Sequence, residues 1–177
     1  MNIDPTKIRR KTKNQTVNLP YADKPALAKS YGYKLKIDYA VSAIGDFVTE
    51  LTPLIEKNPD LTIVIDHQAD SPLSQPEKLE ALLALERYPK VFVKISHMWT
   101  LSKQPYPYPD AQVQVKRLYE KFGAKRLMWG TDWPISLRQL PYAQAVELYR
   151  DHIDFINAAD REWILGKTVQ QVWPFGL

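Results

Sequence analysis

Short apolar runs alternate with longer amphipathic stretches through most of the chain. The clearest short run is Leu61-Thr62-Ile63-Val64-Ile65, whose β-branched character is typical of a strand buried on both faces of a parallel sheet. The clearest amphipathic stretch covers about 46–57, where Leu51, Leu54 and Ile55 recur on one helical face. Pro59 follows it and discourages continuation of the helix. This alternation predicts repeated strand–helix units.

The predicted elements form about four such units. We predict strands at 35–41, 61–65, 91–96 and 127–130, and helices at about 46–57, 76–87, 111–122, 142–156 and 160–172. Gly123 is predicted to end the third helix, and Asp160 to cap the last one. Strand and helix in regular alternation indicate an α/β fold with a parallel sheet.

Periodicity alone leaves the architecture open. A closed eight-stranded (β/α)8 barrel typically needs about 250 residues, and this chain has 177. Half of such a barrel and a small open doubly wound sheet both fit the pattern. Residues 1–24 are polar and without clear periodicity, so we expect a poorly ordered N-terminal extension followed by one domain at 25–177.

The composition excludes several classes of protein. The chain has no cysteine, which rules out disulfides and thiolate catalysis. No apolar run approaches the roughly 20 residues that a membrane span needs, and the first residues show no signal-peptide pattern. We therefore expect a cytoplasmic protein without a membrane partner.

Much of the excess positive charge lies near the N-terminus, in the run 7–13. Such a run can bind nucleic acid or can simply be a solvated terminus. The rest of the chain shows no basic stripe, so we expect no nucleic-acid partner. The net charge of +4 favours an anionic substrate, and Lys94, Lys103 and Arg138 are possible counter-charges near the loops.

Polar side chains stand where three of the predicted strands end. His67 follows the second strand, Lys94 and Ser96 end the third with His97 just after it, and Asp132 follows the fourth. Functional residues of parallel α/β folds cluster at this edge of the sheet. A carboxylate, a histidine and a lysine brought together there could transfer protons or bind a ligand.

Each of these residues also has a purely structural interpretation. A lysine inside a barrel must pair with a carboxylate, so Lys94 could serve only to neutralise Asp66 or Asp132. His67 could bind a loop carbonyl, and Asp132 could cap the next turn. His97 could be an ordinary loop residue beside aromatic neighbours.

Three segments resemble the amidohydrolase-related family, in particular its 2-pyrone-4,6-dicarboxylate lactonase-like branch. They are Pro59-Asp60-Leu61-Thr62-Ile63-Val64-Ile65-Asp66-His67, Val91-Phe92-Val93-Lys94-Ile95-Ser96, and the segment ending in Gly130-Thr131-Asp132-Trp133-Pro134. The helix 160–168 and the residues Trp173-Pro174-Phe175 match the C-terminal part of the family as well. These segments occur in family order, over roughly residues 24–175.

The resemblance implies a (β/α)8 hydrolase that attacks a lactone, ester or amide carbonyl of a small carboxylated substrate with water. Asp132 matches the family's general base, and His67 matches the histidine that positions or polarises the carbonyl. Lys94, Ser96 and His97 are then expected to contact substrate. A divalent metal, Zn²⁺ or Mn²⁺, is possible, with Asp132, His67 and Asp38 as the candidate ligands.

The sequence departs from the family pattern in its first half. It contains no His-x-His pair, and Asp38 stands where metal-dependent members place a histidine on the fifth strand. In this alignment the chain is the C-terminal half of the barrel, about four βα units. We therefore expect either a homo-oligomer or a complementary N-terminal half that completes the barrel. The alternative function is a catalytically inactive remnant or binding subunit.

Overall fold

The computed structural model of the chain describes residues 35–37 and 44–174. The predicted N-terminal extension, its basic run and Asp38 lie outside the described residues. The predicted start of the first strand at residue 35 agrees with the structure, whereas its continuation to 41 lies outside that range.

The described residues form one parallel sheet of four strands in sequential order. The strands are β1 Leu35–Ile37, β2 Ile63–Ile65, β3 Val91–Ile95 and β4 Leu127–Trp129. The α/β class with a parallel sheet is therefore confirmed, while the half-barrel arrangement stays a prediction.

Helices follow the strands in the order that the pattern predicts. They are α1 Ile44–Lys57, α2 Pro76–Leu83, α3 Met98–Leu101, α4 Pro109–Phe122, α5 Tyr142–Asp151, α6 Ala158–Glu162 and α7 Thr168–Val172. A π-helical segment, Trp163–Lys167, joins α6 to α7. The short α3 is not evident in the apolar periodicity, and α5 ends five residues before the predicted position 156.

The two predicted helix ends have different outcomes. Gly123 ends α4 with φ of 69°, a conformation that favours glycine, as predicted. The prediction that Asp160 caps the last helix is wrong. Asn157 is the N-cap, and its side-chain oxygen accepts a hydrogen bond from the Asp160 backbone N–H at 2.9 Å. Asparagine caps as well as aspartate does, and Asp160 instead accepts from the Tyr119 hydroxyl at 2.6 Å.

The sheet buries side chains on both faces. Ile63, Val64 and Ile65 are fully buried, as predicted for this strand. The face towards the helices carries Ile63, Ile65 and the odd-numbered residues of β3, which join the main core.

The opposite, inner face of the sheet is also covered. Val64, Phe92 and Met128 lie on this face and form a second apolar cluster with Val172, against which Trp173 packs. The chain after α6 returns to cover these side chains, which explains why they are buried.

No helix in the described part of the chain is long and apolar enough to span a membrane.

One buried hydrogen bond ties a helix to the end of a strand. The Tyr149 hydroxyl on α5 donates to the Ile95 carbonyl on β3 at 2.7 Å. Replacing Tyr149 by Phe leaves this carbonyl buried without that donor, so we expect a loss of about 1–3 kcal/mol in the free energy of unfolding. Urea unfolding followed by tryptophan fluorescence measures it.

Tyr106→Phe is the matched control, because its hydroxyl donates to the Gln144 carbonyl at 3.4 Å on the exposed side. Its effect should stay within about 0.5 kcal/mol. Equal effects of the two substitutions would contradict the importance given to the Tyr149 hydrogen bond.

Candidate functional site

Three side chains meet at the carboxyl edge of the sheet. His67 follows β2, His97 follows β3 and Asp132 follows β4. One ligand atom from each of them lies within 4.8 Å of the other two. Parallel pairing explains this convergence, since the carboxyl ends of neighbouring strands share one edge. We call these residues the His–His–Asp cluster.

All three residues have left-handed backbone conformations. The φ angles are 54° at His67, 63° at His97 and 51° at Asp132. Residues other than glycine rarely adopt this region, and each instance costs on the order of 1–3 kcal/mol. The turns redirect the chain directly after each strand, which brings the three side chains towards one another.

The turn after β2 is left-handed over four residues, from His67 to Asp70. Buried amide groups hold it in place. Gln68 donates from Nε2 to the Ser96 carbonyl at 2.8 Å, and the Ser71 hydroxyl donates to the Gln68 carbonyl at 2.9 Å. Gln114 on α4 donates to the Ser71 carbonyl at 3.3 Å. The strained turn is thus fixed to β3 and to α4.

His97 lies between two carboxylates. Its Nδ1 is 3.3 Å from Asp70 Oδ1, and its Nε2 is 3.0 Å from Asp132 Oδ2. The His97 side chain is 12% exposed and Asp132 is 29% exposed. Asp132 therefore has one firmly placed partner and still keeps access to solvent.

His67 packs face to face on His97. Their ring centroids are 3.6 Å apart and their planes differ by 4°. The His67 Nδ1 atom is 2.8 Å from the Ser96 hydroxyl oxygen, which belongs to a buried side chain. Ser96 thereby fixes the orientation of the His67 ring.

The two stacked imidazoles have opposite pKa shifts. Burial, with the neighbouring His97 charge, lowers the pKa of His67 to about 4. Burial also lowers the pKa of His97, but its hydrogen bonds to Asp70 and Asp132 outweigh burial and raise it above 6.5. At neutral pH His67 is therefore neutral, and His97 takes up a proton more readily than an ordinary histidine.

Lys94 forms an ion pair with buried Asp66 across the inner face of the sheet. Of the two partners that the sequence allowed, Asp66 and Asp132, the structure selects Asp66. The Lys94 stem also passes over Gly130, where an added Cβ would lie 2.8 Å from Lys94 Cδ. Glycine at 130 therefore leaves room for this lysine beside the Asp132 loop.

The structure brings most of the predicted site residues together. His67, Ser96, His97 and Asp132 form one connected set, with Lys94 next to it on the inner face. His97 is central, although its position at a loop start equally suited a structural role. Their roles in catalysis and substrate binding remain predictions.

Asp70 was not predicted. It contacts His97, but the only signal in the sequence is a carboxylate three positions after His67. That spacing has meaning only once the left-handed turn is known, because the turn directs Asp70 towards β3.

The His–His–Asp cluster fits a divalent metal ion by its donor chemistry. Two imidazoles and one carboxylate are the protein ligands of many catalytic zinc sites, which keep a further position open. Asp70 on the far nitrogen of His97 corresponds to the outer carboxylate that orients a metal-binding histidine. His97 was not among the predicted metal ligands, whereas His67 and Asp132 were.

These features define a class of parallel α/β proteins that gather histidine and aspartate at the carboxyl edge of the sheet. A zinc-bound amidohydrolase from Burkholderia multivorans shares the fold, with a TM-score of 0.71 and 21% identity over 85% of this chain and 56% of that one. A candidate 2-pyrone-4,6-dicarboxylic acid hydrolase from Pseudomonas putida has a TM-score of 0.71 and 26% identity, over 90% of this chain and 60% of that one.

The sequence profile of the amidohydrolase family matches residues 43–175, so the chain belongs to this family. It is 32% identical over 124 residues to L-fucono-1,5-lactonase of Burkholderia ambifaria, which is 66% of this chain and 42% of that protein. The chain therefore spans less than half the length of this curated relative. The predicted resemblance to the amidohydrolase family, with its lactonase-like branch, is confirmed.

The opposite pKa shifts predict distinct titrations in the metal-free chain. As pH falls, His97 should gain its proton first, because its pKa is raised, and His67 should gain its proton only near pH 4. When His97 loses the proton at higher pH, it retains one N–H and can donate to only one of its two carboxylates. NMR of the imidazole carbons after treatment with a chelator measures both pKa values.

Asp70→Asn removes one of the two carboxylates and should lower the His97 pKa towards its ordinary value. If His67 titrated before His97 in the unsubstituted chain, the described arrangement of the two rings would be wrong.

Proposed function

We propose that the chain supplies the catalytic residues of a hydrolase that opens a small carboxylated lactone. The observation that carries the proposal is the partly exposed Asp132 carboxylate, held by His97 beside the neutral His67. A general base needs hydrogen-bonding reach to water and a carboxylate in its charged form. The partial exposure of Asp132 lets water reach this carboxylate.

In this proposal Asp132 takes a proton from water as the water oxygen attacks the lactone carbonyl carbon. The tetrahedral intermediate then collapses, the ring C–O bond breaks, and the proton on Asp132 passes to the departing ring oxygen. The product is a hydroxy acid. Because the base returns to its charged form, one turnover leaves Asp132 ready for the next.

Without a bound metal, His67 stabilises the negative charge that develops on the carbonyl oxygen. We assign to the neutral ring the tautomer in which Nδ1 accepts a hydrogen bond from the Ser96 hydroxyl, 2.8 Å away, and the ring proton is on Nε2. That N–H is then available to the substrate oxygen. A donor of this kind is worth roughly 10²–10³ in rate when it is aimed at the developing charge.

When Zn²⁺ or Mn²⁺ is present, His67, His97 and Asp132 are the residues that would hold it. The ion would supply a Lewis acid and a more acidic bound water. Asp70 keeps His97 oriented in either case, because it binds the ring nitrogen that points away from Asp132.

The proposed substrate class rests on the names of the relatives and on the net positive charge of the chain. One relative is an L-fucono-1,5-lactonase, and one solved structure is a candidate 2-pyrone-4,6-dicarboxylic acid hydrolase. Both names describe a lactone or its hydrolysis. Lys94, Ser96 and His97 remain the proposed contacts for the substrate, although the first two also have partners within the protein.

Completion of the barrel by a second copy or by a separate N-terminal half is part of this proposal. In the described sheet β4 is an edge strand, and the loop that follows it exposes large apolar side chains, with Trp133 62% and Leu137 51% exposed. Exposed apolar surface at this edge supports association there.

Asp132→Asn tests the proposed base. Asparagine keeps the size of the side chain but cannot accept the proton, so kcat should fall by at least about 100-fold on a panel of carboxylated lactones. Hydrolysis is followed by release of acid at constant pH, with and without added Zn²⁺ or Mn²⁺.

Asp154→Asn, on the exposed surface, is the control and should retain activity. Turnover that survives Asp132→Asn would exclude Asp132 as the base. No turnover by a folded sample, with every lactone and metal tested, would instead favour the inactive remnant or binding subunit.

Asp70→Asn tests whether His97 binds the metal, because Asp70 contacts the other ring nitrogen of His97. Loss of an outer carboxylate typically weakens metal binding by about 10–100-fold, so this change should raise the Kd for Zn²⁺ within that range. Equilibrium dialysis with metal analysis measures the Kd without an activity assay, and His152→Gln is the control. An unchanged Kd in Asp70→Asn would mean that His97 does not bind the metal.

A further inference from the structure

A cavity of about 460 Å³ adjoins the His–His–Asp cluster. His97 and Asp70 line one side of it, Pro72, Leu73 and Leu101 supply apolar surface, and Lys103 stands in the lining as well. The volume lies within the range of about 300–1,000 Å³ usual for small-molecule sites. His97 thus contacts Asp132 with one ring nitrogen and borders this cavity.

The backbone at Lys103 is held in place by the start of α4. The Lys103 N–H donates to Asp110 Oδ2 at 2.8 Å, and the Ser102 hydroxyl binds the same carboxylate. Asp110 also accepts from the Ala111 N–H at 2.9 Å. The loop that carries Lys103 is therefore fixed next to the cavity.

The two carboxylates next to the cavity, Asp70 and Asp110, already have partners within the protein. Asp70 is hydrogen-bonded to His97, and Asp110 is satisfied by the loop and by α4. Within residues 51–174 the Lys103 ammonium has no ion pair. A cationic group at the edge of a partly apolar cavity favours a small organic anion over a neutral ligand.

We infer that this cavity binds the carboxylate of the substrate, with the Lys103 ammonium as its counter-charge and the apolar lining against the ring. The inference rests on the proposed function, because the ring so held would extend past His97 towards Asp132. Lys103 is then a specificity-determining residue that discriminates a carboxylated lactone from a neutral one. A single ammonium matches a single carboxylate.

Binding is measured first, with a ligand that the protein cannot hydrolyse. Isothermal titration of the full chain compares benzoate with benzamide, which differ in charge but little in shape. We expect tighter binding of benzoate, a loss of about 10-fold or more in Lys103→Met, and recovery in Lys103→Arg. Lys121→Met, on the exposed side of α4, is the matched control and should bind benzoate as the unsubstituted chain does.

Kinetics then connect the cavity to the reaction. The ratio of kcat/KM for coumalate to that for its methyl ester should fall by about 10-fold in Lys103→Met, through a higher KM for coumalate. If benzoate binding depends on Lys103 but the chain shows no turnover, the carboxylate site in the cavity is supported and the proposed function is overturned. If the chain hydrolyses coumalate but Lys103→Met changes neither benzoate binding nor the preference for coumalate over its methyl ester, the proposed function is supported and this inference is overturned.

Discussion

Parallel pairing of three short strands decides where the functional side chains lie. Ile65 pairs with Val93, and Ile95 pairs with Trp129, so the chain leaves β2, β3 and β4 at one edge. The same register places Lys94 on the inner face, where it reaches Asp66. Because side chains alternate along a strand, a shift of one residue in β3 would turn this ammonium into the apolar core. The ion pair and the cluster thus depend on a common register.

The turns after these strands add a second constraint. His67, His97 and Asp132 all have positive φ angles, which are uncommon for residues other than glycine. The surrounding hydrogen bonds must therefore stabilise them, and Gln68 and Gln114 provide part of that network from buried positions. Strained backbone that neighbouring structure holds in place is common at functional sites. Here it directs three side chains to one point, which relaxed extended residues would not do.

The extent to which the sequence predicts this protein differs between fold and site. The positions of β2 and β3 follow from their β-branched apolar runs, which have few other interpretations in an alternating α/β pattern. The meeting of His67 with Asp132 follows from the topology and the family resemblance. The position of His97 between two carboxylates could not be predicted in this way, because it depends on a left-handed turn that brings Asp70 to His97. The cover on the inner face was also missed, since it comes from Val172, far along the chain.

His97 links the cluster to the charges around it. With its proton bound, the imidazolium and its two carboxylate partners, Asp70 and Asp132, carry one net negative charge. A divalent metal would need the nitrogen that faces Asp132, so it would displace that proton and leave the group neutral. Metal binding should therefore weaken as pH falls, and an anionic substrate would meet less repulsion when the metal is bound. Lys103 lines the same cavity as Asp70 and is not one of the three residues that would hold the metal, so its charge is present whether or not the metal is bound.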